Sequence, residues 1–201
     1  MMVNWLKRVL RPIYAPIVIQ YRHQKAFRQQ QEKIRHQVVA CYESDQPIKV
    51  VIGAGLTAFD GWIATDIPAF DILKHEHWAI LFQPNTIHRM LAEHVFEHLT
   101  EAQFQDFLRV ARSYLAKDGR IRIAIPDGNH PDPAYIERVR PNGTGEGAHD
   151  HKVLYTCDKI TRLLDHEGYE YELVEYFDAG GQFHQIDWDN ADGYIKRSAE
   201  N

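Results

Sequence analysis

The sequence predicts an α/β domain with a mainly parallel β-sheet, preceded by a helical N-terminal arm. Short apolar runs typical of buried strands alternate with segments of helical periodicity, and that alternation is typical of parallel sheets. The first of these strands, IKVVIGAG, runs directly into glycines. The chain before it is rich in the helix-forming residues Gln, Lys and Arg. We therefore expect a basic helical arm over residues 1–43 and an α/β domain over residues 44–201.

The composition is that of a globular protein with an uneven charge distribution. Apolar residues make up 44% of the chain and charged residues 25%. The two cysteines fit a reducing compartment rather than a disulfide framework. No run of 18 apolar residues occurs, so the sequence predicts no membrane span. The first 40 residues carry eight Lys or Arg and one acid, whereas the remainder carries 15 basic and 27 acidic residues.

The basic arm indicates a surface for an acidic partner. Such arms can meet nucleic acid, an anionic membrane or an acidic protein, but the acidic body argues against a large nucleic acid as substrate. The expected location is the cytoplasm, and residues 1–43 would pack on the domain, form a dimer contact or make a peripheral membrane contact. Pro12 and Pro16 divide the arm into two predicted N-terminal helices. The first helix would have an amphipathic face formed by Trp5, Leu6, Val9 and Leu10.

Five strands and two helices are predicted after the arm. The first four strands are IKVVIGAG, WIATDI, HRMLAEH and GRIRIAIPD. Between the last two, an amphipathic helix is predicted with Thr100 as its N-cap, Gln103 completing a capping box, and Gly119 at its end. A second helix covers residues 157–168, and a further strand is predicted in YEYELVEYFD.

The glycines that close the first strand mark a candidate ligand site. Gly53 and Gly55 allow a ligand to approach the backbone closely. Asp66 follows the next strand, where a carboxylate can bind the two hydroxyls of a ribose. Only about eight residues join the two strands, which is too short for a full crossover helix. This spacing favours a small adenosine ligand over a pyrophosphate bound at a helix N-terminus.

Two motifs in this order resemble a known enzyme family. The residues are VVIGAGLTAFDGWIATDI, followed by MLAEHVFEHLTEAQFQDFLRVARSYLAKDGRIRIAIPD. They are similar to class I S-adenosylmethionine-dependent methyltransferases, in particular to a bacterial branch of predicted SAM-dependent methyltransferases. The resemblance runs from Lys49 to Arg197 and implies a Rossmann-like class I methyltransferase sheet with reduced early crossover helices. Since that fold ends in an antiparallel strand that DGYIKRSAEN does not supply, we expect a truncated sequence or a sheet without its last strand.

The resemblance also implies the residues that bind S-adenosylmethionine. The predicted cofactor-binding residues are Gly53, Ala54, Gly55, Asp66, Ile67, Asp71, Ile72 and Glu93. The glycine loop would wrap the methionine part, Asp66 would bind the ribose hydroxyls, and Ile67 would lie on the adenine. Asp71 would bind the adenine amino group, with Ile72 beside it. The end of the third strand would line the methyl-transfer site.

The candidate catalytic residues lie in LAEHVFEHLT. A common zinc protease has Glu directly after the first His, whereas Glu97 here precedes the second, so a hydrolase would lack its general base. We predict His94 as the general base, because an imidazole suits proton removal from an acceptor, and Glu97 as a residue facing the substrate. No metal ligand is assigned, and His98 is expected to cap the next helix.

The predicted enzyme transfers a methyl group from S-adenosylmethionine to an unidentified oxygen or nitrogen acceptor, either a small molecule or a glycan or lipid precursor. One alternative is a degenerate, non-catalytic SAM-binding module. The other is a metal-dependent hydrolase using His94, Glu97 and His98, which are good ligands for zinc or manganese.

Three later segments offer further polar side chains. In PDGNHPDP, Asp127 and His130 would contact substrate or build a turn. The glycine-rich RPNGTGEGAHDHKVLY is either a lid or a surface loop. FHQIDWD, with His184 and Trp188, would close over the site.

Overall fold

A four-stranded parallel sheet forms the centre of the protein. The computed structural model describes residues 2–195, with side chains described for 19–190 and 192–195. The strands of the sheet are β1 (Ile48–Ile52), β2 (Ile63–Ala64), β3 (Ile87–Glu93) and β4 (Leu115–Ala124), in the order β2-β1-β3-β4. The predicted α/β fold with a parallel sheet is therefore confirmed.

Helices and a small hairpin surround this sheet. The helices are α1 (Met2–Glu43), α2 (His75–Leu81), α3 (Glu101–Tyr114), α4 (Pro133–Val139) and α5 (Cys157–His166). The hairpin pairs β5 (Glu175–Phe177) with β6 (Phe183–Gln185) in antiparallel fashion. Three short 3₁₀ turns cover Phe96–His98, Ala148–Asp150 and Asn190–Asp192.

The early crossover connections are short, as predicted. Residues 53–62 join β1 to β2 through turns without a helix, and α2, with seven residues, is the helix between β2 and β3. The second strand is shorter than the predicted WIATDI, with two residues in regular strand conformation. Hydrogen bonds from Thr65 N–H to the Val51 carbonyl and from Ala54 N–H to the Thr65 carbonyl, both 2.9 Å, tie the next residues to β1.

The strand order places a crevice beside β1. The chain leaves β1 to form β2 on one side and then returns to form β3 on the other side of β1. At such a switch in direction, the loops at the carboxyl ends of neighbouring parallel strands diverge, and ligands of open α/β sheets bind there. We therefore expect a ligand-binding site at the carboxyl ends of β1, β2 and β3.

The two faces of the sheet are covered differently. One face packs against α1, α2, α3 and α5, and its fully buried strand residues include Ile48, Val50, Ile63, Ile87, Met90 and Ala92. The other face carries a smaller cluster of Val51, Ala54, Leu91 and Ile195, with Phe59 and Trp62 packed against it. Among the described residues, Ile195 near the C-terminus and Phe59 and Trp62 of the β1–β2 loop cover this part of the second face.

An ion pair fastens that C-terminal segment to the sheet. Arg89 Nε lies 2.6 Å from Asp192 Oδ1, and Arg120 Nη1 lies 3.3 Å from Asp192 Oδ2. Burial acts to raise the pKa of Asp192, but the hydrogen bond and charge of Arg89, with the charges of Arg120 and Arg122, hold this pKa below its usual value.

The N-terminal arm is a single helix. The prediction of two helices is wrong, because α1 continues through Pro12 and Pro16; a proline can cost one hydrogen bond and kink a helix without ending it. Its C-terminal part packs on the domain, where Ile34 and Val38 are buried in the main core. The amphipathic face predicted at Trp5 lies outside the described side chains. Within the described part of the chain, no helix combines the length and apolarity needed to span a bilayer.

The capping box of α3 is confirmed, but its predicted end is wrong. Thr100 Oγ1 accepts the Gln103 N–H, and the Gln103 side chain accepts the Thr100 N–H in return. The helix ends at Tyr114, and Leu115 already pairs with Ile87 of β3. Gly119 lies in the irregular start of β4, where a Cβ would come within 2.8 Å of the Ile87 carbonyl oxygen. Close strand approach, not a helix cap, therefore requires this glycine.

The strand predicted in YEYELVEYFD is shorter than expected. Regular pairing is confined to Glu175–Phe177, because the partner β6 has only three residues to pair with it. The preceding helix follows its prediction more closely, and its side chains at Ile160, Leu163 and Leu164 pack against the main core.

The two glycines after β1 differ in what surrounds them, which gives a direct test of this packing. Both have positive φ, 63° at Gly53 and 54° at Gly55, so alanine at either costs about 1 kcal/mol in backbone strain. A Cβ at Gly53 would also meet Val95 Cγ2 at 2.6 Å, whereas one at Gly55 meets nothing within 4 Å. Gly53→Ala should therefore lower the free energy of unfolding by about 1–3 kcal/mol more than Gly55→Ala, measured by urea denaturation.

Adding Val95→Ala to Gly53→Ala should recover most of the extra loss, because it removes the clashing methyl group. Equal losses for the two single variants would show that the end of β1 is not packed against Val95.

Candidate functional site

Asp66 joins the end of β2 to the glycine loop that follows β1. Its Oδ2 accepts the Gly55 N–H at 2.8 Å, and its Oδ1 accepts the Ile67 N–H at 2.7 Å. An ionised carboxylate has about four acceptor positions, so each oxygen can accept one more hydrogen bond. The structure thus joins Asp66 to the glycine loop at Gly55, and each carboxylate oxygen keeps an acceptor position.

The residues that directly follow Gly55 and Asp66 have exposed apolar side chains. Leu56 directly follows Gly55 and is fully exposed, and Ile67 directly follows Asp66 and is 71% exposed. Ala54, by contrast, is buried in the small cluster on the second sheet face. An exposed aliphatic side chain beside a polar anchor suits the face of a flat heterocycle.

Asp71 and Ile72, the predicted adenine contacts, already have structural partners. Asp71 Oδ1 accepts the Leu73 N–H at 3.1 Å, and its Oδ2 lies 3.6 Å from Lys74 Nζ. The Ile72 side chain belongs to the main core, and its carbonyl accepts the Trp78 indole N–H at 3.0 Å. Ile72 is therefore a core residue in this structure, while Ile67 presents its side chain to solvent.

The end of β3 holds the predicted catalytic pair. Glu93 is half-buried as the last residue of the strand, and His94 follows with a φ of 56°, a conformation uncommon for a residue with a side chain. His94 Nδ1 lies 2.8 Å from Glu97 Oε1. Because an ionised carboxylate can only accept, this contact favours the tautomer with the proton on Nδ1 and a basic Nε2.

Glu97 is buried and uses only one of its carboxylate oxygens. Its relative exposure is 1%, and Oε2 has no hydrogen-bond partner in the structure. The Tyr155 hydroxyl is likewise buried without a partner. Burial, with the negative charges of Glu101 and Glu97, raises the pKa of Tyr155 far above its usual value, so this phenol is neutral.

Two histidines complete a cluster around Glu97. Glu97, His98 and His151 each offer one ligand atom, and these atoms lie within 4.8 Å of one another. His94 is not a member of this group, so the ligand set considered for a hydrolase, His94 with Glu97 and His98, does not assemble among the described residues. The expectation that His98 caps the next helix is wrong, because Thr100 caps α3 and His98 instead lies beside His151 and Asp150.

Asp127 and His130 build turns and hold the hairpin. Asp127 accepts the Asn129 N–H through Oδ1 at 2.8 Å and the Phe177 N–H through Oδ2 at 2.7 Å. His130 Nδ1 accepts the Asp132 N–H at 3.1 Å, and its ring stacks on Tyr135. Of the two roles predicted for these residues, the structure shows turn formation.

The glycine-rich loop is fastened to the turn that follows β3. The N–H groups of Lys152 and Val153 donate to the Glu97 carbonyl at 2.7 and 3.3 Å, and Ala148 is fully buried. His184 and Trp188 lie elsewhere, on the β5–β6 hairpin side, where His184 pairs with Asp178 and Trp188 with Glu175.

Val95 was not predicted from the sequence, and a Cβ at Gly53 would lie 2.6 Å from its Cγ2. His151 was noted, with His149, only as a histidine of the glycine-rich loop, and its cluster with Glu97 and His98 was not predicted.

Comparison with known proteins gives one match. No protein-family model matches the chain, and no curated protein matches it. Among solved structures, the chain is similar to one described as a SAM-dependent methyltransferase from Archaeoglobus fulgidus. The two are 13% identical, with a TM-score of 0.46, over 90% of this chain and 88% of the other.

Proposed function

We propose that this chain is an enzyme that transfers a methyl group from S-adenosylmethionine to an oxygen or nitrogen acceptor. The observation that carries the proposal is the hydrogen bond between the Asp66 carboxylate and the Gly55 N–H. This hydrogen bond joins the acid that follows β2 to the glycine loop that follows the neighbouring strand β1. A nucleoside can be held there by its ribose while its tail follows the loop toward the crevice beside β3.

The residues at this position fit the cofactor. Asp66 would bind the ribose hydroxyls through the acceptor positions that its backbone contacts leave open. The adenine would lie on the exposed Ile67 rather than on the buried Ile72. The backbone at Gly53 and Gly55 would border the methionine part, where the absence of a Cβ permits close approach.

The catalytic step requires removal of a proton from the acceptor. S-adenosylmethionine, when bound, would supply a methyl group carried on a positively charged sulfur, and an acceptor that takes this group must lose a proton. His94 would take this proton on Nε2, because Glu97 holds the other ring nitrogen in its protonated form. The positive φ of His94 sets its side chain at the turn directly after β3.

The acceptor that we propose is a small molecule or a glycan or lipid precursor. The acidic charge of the chain after residue 40 supports this choice over a large nucleic acid. The basic first 40 residues would favour a precursor carried near an anionic surface.

Replacing Asp66 tests cofactor binding. Calorimetric titration of the purified chain with S-adenosylhomocysteine should show binding, and Asp66→Ala should weaken it at least about tenfold, since two hydrogen bonds to a charged acceptor are lost. Asp60→Ala, at an exposed acid of the same loop, is the matched control and should bind as the unmodified chain does. Binding unchanged by Asp66→Ala in a folded variant would refute this site.

Replacing His94 tests the catalytic role. The release of S-adenosylhomocysteine should be followed with a panel of phenol, alcohol and amine acceptors. With an acceptor that is turned over, His94→Asn should lower kcat by about 10²–10⁴ while the affinity for S-adenosylhomocysteine stays the same. His149→Asn, at an exposed histidine, should leave turnover unchanged. Full turnover by His94→Asn would exclude His94 as the base.

A further inference from the structure

The cluster of Glu97, His98 and His151 has the composition of a transition-metal site. Two imidazoles and a carboxylate are a ligand set found in zinc enzymes, whereas Mg²⁺ and Ca²⁺ prefer oxygen ligands alone. The ligand atoms of the three residues lie within 4.8 Å of one another, close enough to share one ion after small adjustments. Two different segments supply them, the turn after β3 and the loop before α5.

The two histidines are held with one ring nitrogen available. His151 is 9% exposed, and its Nδ1 lies 2.7 Å from the Val139 carbonyl oxygen, which can only accept. The proton therefore sits on Nδ1, and Nε2 keeps its lone pair. His98 Nδ1 lies 3.4 Å from the Asp150 carboxylate. Histidines that bind metals are oriented by a carbonyl or a carboxylate behind them, as His151 is by Val139.

The unpaired oxygen of Glu97 is the second, independent observation. Oε1 accepts the His94 ring N–H, but Oε2 is buried with no partner. A buried carboxylate oxygen without a hydrogen-bond partner destabilises the fold. A cation bound between Glu97, His98 and His151 removes this cost. It also explains why two imidazoles with ring centroids 4.8 Å apart stand beside the carboxylate.

We propose that Glu97, His98 and His151 bind one divalent transition-metal ion, preferably Zn²⁺, through Glu97 Oε2 and the Nε2 atoms of both histidines. Three protein ligands leave a fourth coordination position for water or for an acceptor oxygen. The ion would connect two parts of the fold. These are the Glu97 carboxylate, which orients His94, and the loop before α5. This inference does not depend on the proposed methyl transfer, since the site is built without any of the residues at Asp66.

The first test is the metal content of the full chain. Protein stripped with EDTA and reconstituted with ZnSO₄ should retain one ion per chain after desalting, measured by mass spectrometry of the metal. Reconstitution with Co²⁺ should give the visible absorption of a four-coordinate ion. A folded chain that retains no Zn²⁺ would overturn the proposal, and so would Co²⁺ that remains in its aqueous form.

Variants then locate the ion. Glu97→Gln, His98→Asn and His151→Asn should each weaken Zn²⁺ binding more than about 100-fold, beyond the effect of losing a residue that only orients a ligand. Asp150→Ala should weaken it by about 10–100-fold, since it removes the carboxylate beside His98 Nδ1. His149→Asn is the matched control from the same loop and should bind Zn²⁺ unchanged. Full binding by folded His151→Asn would place the ion elsewhere and refute this ligand set.

The metal site and the S-adenosylmethionine site can be tested independently of each other. Zinc is measured without S-adenosylmethionine, and S-adenosylhomocysteine is titrated without zinc. A second measurement replaces the buried variants Glu97→Gln and His151→Asn if they do not fold. The Co²⁺ spectrum of the unmodified chain then tests metal binding, because ligation by imidazole nitrogen and carboxylate oxygen changes the absorption of the ion. A water molecule shared by Glu97 Oε2 and the Tyr155 hydroxyl would leave the chain free of metal, and would likewise overturn the proposal.

Discussion

The Asp66 carboxylate is the constraint on which the rest of the candidate site depends. The loop between β1 and β2 has no helix to stiffen it, and the Asp66 carboxylate, just beyond β2, accepts the Gly55 N–H of that loop. Its other oxygen accepts the N–H of the following residue, Ile67. The residues that follow these two partners in the chain, Leu56 after Gly55 and Ile67 after Asp66, have exposed aliphatic side chains.

A second carboxylate organises the other side of the crevice. Glu97 is buried in the turn after β3, where Oε1 contacts His94 Nδ1 and Oε2 has no hydrogen-bond partner. The ligand atoms of Glu97, His98 and His151 lie within 4.8 Å of one another. Its carbonyl accepts the Lys152 and Val153 N–H groups, so the distant loop is tied to the same turn. Proton transfer at His94 and metal binding at the two histidines, as proposed, would therefore share one buried residue. A change at Glu97 should disturb both.

The sequence predicted the features that depend on local rules. The capping box at Thr100 and the acid after the second strand were visible because each involves residues a few positions apart, or at the ends of adjacent strands. The end of α3 was misplaced because Gly119 satisfies a contact with Ile87, a residue of another strand. His151 was not assigned a role because only the folded loop brings it to His98. The two prolines in α1 were read as breaks, although a helix can continue through a proline.

The most direct test of the account is a crystal structure of the chain with S-adenosylhomocysteine. We predict that the ribose hydroxyls bind Asp66, that the adenine lies on Ile67, and that the tail follows the loop at Gly53 toward the crevice between β1 and β3. The sulfur should then lie on the side of β1 where His94 stands. A ligand bound away from the ends of β1 and β2, or one whose ribose makes no contact with Asp66, would contradict the account.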